Sequence, residues 1–241
     1  MSVAAYRINL TCEAKMHSTN NILTLKDSFD ESPDLTPTLG ISPTIFRDAI
    51  QSGLILYKST TKFHPVTAGG SRAWEEIVAS FRLSVVENYQ GWKAIQENGM
   101  PILVNPPLGI TIVITSGDTN TGLTDSLPPK TKNAKGQVTE NYVGKNYDLF
   151  GSAEDTPQII KIDSNQTWVF LYTVDKSKKE IRFELSLPTD TSISGAKGKI
   201  KICDWQKRVI FPPVSFDDIP DDYVPGNDFT DDSDFFSIEK K

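Results

Sequence analysis

Two groups of basic residues in this chain are spaced for work on phosphate. The stretch "KTKNAKGQVTENYVGK" brings Lys130, Lys132, Lys135 and Lys145 around Gly136 and Tyr142. Lysines with an aromatic in a polar segment suit single-stranded nucleic acid, whose bases stack while charge tracks the backbone. Further on, Arg182, Lys199, Lys201, Lys207 and Arg208 lie in strand-like runs, with Lys176, Lys178 and Lys179 in the polar turn "DKSKK" between two of them. In "EIRFELSL" alternation turns Ile181, Phe183, Leu185 and Leu187 inward and leaves Arg182 and Glu184 outside, while "KIKIC" sets Lys199 and Lys201 opposite Ile200 and Ile202. The expectation is one positive sheet surface on which phosphates bind. A scattered solvated face would give the same count of charges.

The end of the chain has the opposite chemistry. Residues 215–241 hold nine acidic side chains against Lys240 and Lys241, a net of −7, whereas the whole chain carries −6, so the body sums to +1. That balance argues against strong, general affinity for nucleic acid. Residues 1–157 hold 13 basic and 16 acidic side chains, and residues 158–211 hold ten and six, so the basic part of the body runs straight into the acidic tail. Dense like charge, two prolines and little periodicity predict a disordered tail. Its aromatics give it a second use: rings fill shallow pockets while carboxylates pair with Lys and Arg, so Phe216, Asp217, Asp218, Ile219, Asp221, Asp222, Phe229, Phe235 and Phe236 are candidate partner-binding residues.

Over "SFDDIPDD" the tail resembles the acidic tip of bacterial single-stranded DNA-binding proteins. That tip recruits partner proteins and competes with nucleic acid for a basic groove. It ends the chain at its Phe, whereas 21 residues follow Pro220 here. The body shows no five-stranded barrel of that family, so the resemblance stops at these eight residues.

Other motifs point less far. "TSGDTNTG" at Thr115 to Gly122 echoes a calcium loop but lacks the later carboxylate, which favours Asx-turn chemistry at Asp118. "TAGGSRAW" lacks the lysine and glycine spacing of a phosphate loop and reads as a capping turn. His17 and His64 sit in no nucleophile elbow, His64 preceding Pro65 in a turn. Asp163 and Glu184 with a lysine would make a divergent metal nuclease. No metal and no cofactor is expected otherwise.

The elements that must position these groups follow from periodicity. "YRINLTC" and "ILTLKD" read as strands, and Asp27 to Thr38 as a loop. "SPTIFRDAIQSG" reads as a short helix, with Ser42 as cap, Pro43 at the first position and Gly53 closing it before a strand "LILYK". Ser71 begins a longer helix whose apolar face is Trp74, Ile77, Val78, Phe81 and Val85. Asn98-Gly99 predicts a tight hairpin, "ITIVITSGD" a strand, and residues 117–157 a long irregular segment. "QIIKID", "TWVFLYTV", "EIRFELSLP" and "KIKICDWQKRVIF" read as an antiparallel meander.

The predicted class is α+β: a largely antiparallel sheet with about two helices in one body over 1–214, followed by a disordered acidic tail over 215–241. No apolar run is long enough for a bilayer. Two separated cysteines, Cys12 and Cys203, fit free buried thiols in a reducing, cytoplasmic setting. The expected function is a non-enzymatic binding or regulatory protein of bacterial or phage style. It would bind single-stranded nucleic acid through the basic sheet, with an autoinhibitory or partner-recruiting tail and no membrane partner. The alternative is an interaction factor whose tail mimics DNA and binds a basic protein.

Overall fold

The computed structural model describes residues 21–25, 39–150, 166–193 and 199–219. The strand expected at 6–12, the loop at 27–38, "QIIKID" and the tail from Pro220 onward lie outside them. The described residues form an α+β fold whose sheet has eight strands in the order β1-β7-β6-β5-β4-β3-β2, with β8 beside β6. The strands are β1 (Asn21–Thr24), β2 (Lys93–Glu97), β3 (Met100–Asn105), β4 (Ile110–Ser116), β5 (Gln166–Asp175), β6 (Glu180–Ile193), β7 (Ile200–Ile210) and β8 (Val214–Ser215). β5, β6 and β7 form an antiparallel meander, three of the four strands expected of it. The sheet as a whole is mixed, because β4 runs parallel to β5 and β1 parallel to β7.

The parallel pair explains the first departure from expectation. Parallel neighbours need a crossover of a dozen residues or more, usually helical. The stretch 117–157 supplies it with a helix, α3 (Gln137–Phe150), where irregular chain was expected. β5 is buried on both faces over most of its length, in keeping with its unbroken apolar run.

Two helices pack on the other face. In α1 (Pro43–Lys58) the Ser42 hydroxyl accepts the Thr44 amide and Pro43 takes the first position, as expected. The helix does not stop at Gly53. It continues through "LILYK" because Gly53 is a crossing point rather than a cap: a Cβ there would lie 2.4 Å from Ile77 Cγ1 of α2. α2 (Ala68–Asn88) begins ahead of Ser71 and buries Ile77, Val78, Phe81 and Val85. Phe46 joins the helices to the sheet, with its ring centroid 4.8 Å from Phe81, 5.1 Å from Phe170 and 5.1 Å from Phe211. Such pairs each contribute about 0.5–1.5 kcal/mol beyond buried area. A smaller cluster holds α3 on the opposite face, where Val143 meets Val169, Leu171, Ile202 and Trp205.

The body extends into the stretch read as tail. Ile219 is buried in the main core beside Val214 of the body, and Ser215 and Asp218 form a reciprocal cap around a short 3₁₀ turn. No helix among the described residues is long and apolar enough to cross a membrane. Cys203 is disulfide-bonded, which corrects the expectation of a free thiol; Cys12, the one other cysteine, lies outside the described residues.

Candidate functional site

The basic sheet surface expected from alternation does not assemble. Arg182, Glu184, Ser186 and Arg208 are all buried, because the loop leading into α3 covers the face that alternation assigned to solvent. Arg208 donates to both Glu184 oxygens, Nε at 3.0 Å and Nη2 at 2.6 Å. Glu184 also accepts from the Ser186 hydroxyl and the Gly122 amide. Arg182 Nη1 reaches Asp175 at 2.8 Å and Glu180 at 3.3 Å, and its Nε and Nη2 donate to the carbonyls of Thr121 and Thr119. These arginines tie a loop over the sheet and are buried beneath it, away from any phosphate on the surface. Glu184, surrounded by four donated hydrogen bonds, is equally unsuited to the nuclease role; Asp163 lies outside the described residues.

The remaining sheet lysines are dispersed. Lys199 is exposed, and Lys201 and Lys207 are half-buried. Lys207 pairs with Leu187, which faces α1 and α2, whereas Arg208 pairs with Ser186 on the α3 side. The set therefore divides between opposite faces. Lys130 is half-buried, its carbonyl accepting the Asp118 amide. Lys145 lies on α3, its side chain outside the described set. Asp118 makes the Asx turn expected of it, its Oδ1 accepting the Asn120 amide at 3.1 Å.

Lys132 and Lys135 do converge with other basic side chains. They line a cleft of about 1100 Å³ at the carboxyl ends of β4 and β5, the position where open α/β sheets hold ligands. Lys62, His64 and Lys176 line it too, and no Asp or Glu does so among the described residues. Each wall has a local cause. The Thr131 amide bonds the Ile202 carbonyl, the Lys132 amide bonds the Ser116 carbonyl, and Lys135 exchanges two backbone bonds with Ile200. That ladder fixes where the two lysines emerge. On the far wall, His64 Nδ1 accepts the Thr61 amide at 3.0 Å, and the Ala68 amide closes on the Pro65 carbonyl. Asn98 and Gly99, at φ of 48° and 81°, form the predicted hairpin and rim the cleft.

The cleft is electropositive for two reasons. Four lysines line it with no Asp or Glu among the described lining residues, and the first turns of α2 and α3 both border it through Gly69, Gly70, Gly136 and Thr139. Helix N-termini carry a partial positive charge and unpaired N–H groups. Thr67 makes no side-chain cap for α2. Gly69 is packed under Tyr57, where a Cβ would lie 3.1 Å from Cε2, while nothing stands within 4 Å of the Gly70 position. Lys135 is the most constrained cation: its Nζ donates to Thr115 Oγ1 at 2.5 Å, and burial pushes its ammonium below the ordinary lysine range. Trp74, expected deep in the core, instead forms the floor of the cleft half-buried, with Nε1 3.5 Å from the Ile114 carbonyl.

Sequence reasoning missed Lys62 and His64 as site residues and reached Lys176 only as part of the wrong surface. No protein-family model, curated protein or solved structure matches the chain.

Proposed function

We propose that this is a non-enzymatic binding protein whose ligand carries phosphate and sits in the cleft between the starts of α2 and α3. One observation carries the reading: Lys62, Lys132, Lys135 and Lys176 line one cleft with His64, and no Asp or Glu is among its described lining residues. Lys135 is half-buried with a neutral hydroxyl bonded to its Nζ, and an anionic ligand supplies the counter-charge that burial of an ammonium calls for. Trp74 in the lining offers a stacking surface beside the charges, and Lys62 Nζ lies 5.5 Å from the ring centroid of exposed Phe63. Lysine with aromatic lining suits a short single strand of nucleic acid, which moves the expected nucleic-acid contact from the sheet surface to the cleft.

The test is a titration of fluorescent oligothymidylate into the full chain and into a Lys132→Gln, Lys135→Gln variant. Each charge-assisted contact is worth about 1.5–3 kcal/mol, so the double variant loses at least tenfold in affinity, with a shallower salt dependence. Equal affinity in both proteins sinks the reading. The compartment is open to a separate measurement. A disulfide at Cys203 suits an oxidising setting, whereas a cytoplasmic protein would hold that cysteine reduced. Thiol labelling in freshly lysed cells decides between them.

A further inference from the structure

The acidic end of the chain leaves the body beside the cleft. β8 pairs with β6 through Ser215 and Glu180, and the Phe216 amide donates to the Lys179 carbonyl at 2.8 Å. The Phe216 ring lies 5.8 Å from the Tyr57 ring, and Lys58 Nζ donates to the carbonyls of Phe216 and Ile219 at 3.1 Å each. Ile219 is itself buried. Tyr57 and Lys176 belong to the cleft lining. The last described residue is thus held where the β5–β6 turn and the end of α1 meet, at the margin of the lysine-lined space.

Beyond that anchor come 22 residues, 220–241, with seven acidic side chains against two lysines and with Tyr223, Phe229, Phe235 and Phe236 among them. Resting on the reading of the cleft as an anion seat, we infer that this segment of the same chain occupies the cleft when no ligand does. Three observations select it as occupant. Its charge is opposite to that of the lining, its rings match the aromatic floor, and its root is fixed at the rim by Lys58 and the Ile219 side chain. Reach is ample, since extended chain covers about 3.3–3.6 Å per residue. A tethered segment acts at an effective concentration of about 1 mM, so a contact with a Kd of about 0.1 mM weakens a competing ligand roughly tenfold. The docked root changes what the tail can touch. Arg208, one of the cations assigned to the sheet surface, is inside the fold, whereas Lys62 and Lys176 belong to loops beside the anchor.

Two measurements on the full chain test this. Zero-length carbodiimide coupling at low salt, read by peptide mapping, is expected to join Asp221, Asp222 or Asp228 to Lys62, Lys132, Lys135 or Lys176, with the yield falling at high salt. Links spread over all exposed lysines, or formed only between molecules, overturn the inference. In parallel, the full chain with Asp221, Asp222, Asp228, Asp231, Asp232 and Asp234 changed to Asn is expected to bind fluorescent oligothymidylate about tenfold tighter than the unchanged protein at low salt, the two converging as salt rises. Equal, measurable affinity overturns the tail inference and leaves the cleft reading standing. No binding by either protein overturns oligonucleotide as the ligand, and the coupling pattern then decides the tail by itself.

Discussion

Arg182 and Arg208 are buried on one side of the sheet, whereas exposed Lys132 and half-buried Lys135 stand at its end, and the two pairs of basic residues have opposite circumstances. The arginines are matched by internal acceptors: Glu184, Asp175, Glu180 and three loop carbonyls between 119 and 123 receive their donors. They hold the loop that closes the α3 face. The lysines are held just as firmly by backbone bonds to β7 and β4, yet for Lys135 the bonded partner is a neutral hydroxyl. A cation whose partner is already in the fold stabilises the fold, and one held in place without a counter-charge is available to a ligand.

The largest expected effect breaks the first half of that comparison. Glu184→Gln leaves Arg208 buried without its anion and costs about 3–5 kcal/mol in denaturant unfolding, with little direct effect on the cleft. A loss below 1 kcal/mol would mean that the network does not hold the loop.

Trp74 belongs to both halves. Full truncation of a buried aromatic costs about 3–5 kcal/mol, and half-buried Trp74→Ala is expected nearer 2 kcal/mol, together with weaker oligothymidylate binding. Loss of stability with unchanged binding would place Trp74 in the core alone.

Lys135→Met sharpens the second half. Replacing a buried charge that has no carboxylate by an apolar chain of similar length leaves stability unchanged or slightly higher, while oligonucleotide affinity falls about tenfold, or 1.4 kcal/mol. A destabilised Lys135→Met protein would show that the lysine is a structural residue like the arginines.

The smallest effect concerns acid. The Ser177 hydroxyl first, then the Lys178 amide and the Arg182 guanidinium, hold the Asp175 carboxyl down at about 2. Its folded value lies below the ordinary one, so its contribution is present above about pH 4 and is lost as pH falls toward 2. Asp175→Asn flattens that part of the stability curve by under about 1 kcal/mol, since the group is near the surface. Unfolding midpoints at pH 5 and pH 2.5 check it.

Local signals carried much of the fold. Ser42-Pro43 marked the start of α1, the spacing of Ile77, Phe81 and Val85 marked the buried face of α2, and Asn98-Gly99 marked the hairpin, because capping, periodicity and positive φ act within a few residues. The strands of the meander were legible for the same reason.

Tertiary structure decided the rest. Gly53 reads as a helix end in isolation and becomes a crossing point only when Ile77 lies against it. Alternation in β6 shows that Arg182 and Glu184 share a face, but whether that face is wet depends on a loop some 60 residues away in sequence. The sequence by itself determined the inventory: the cations, the acidic end and the aromatics beside each. Which cations meet an internal anion, and which meet each other in a cleft, depends on pairings such as β4 with β5 and Lys135 with Ile200. Coulombic partnership depends on distance in space, and sequence spacing sets that distance only within a single turn or strand.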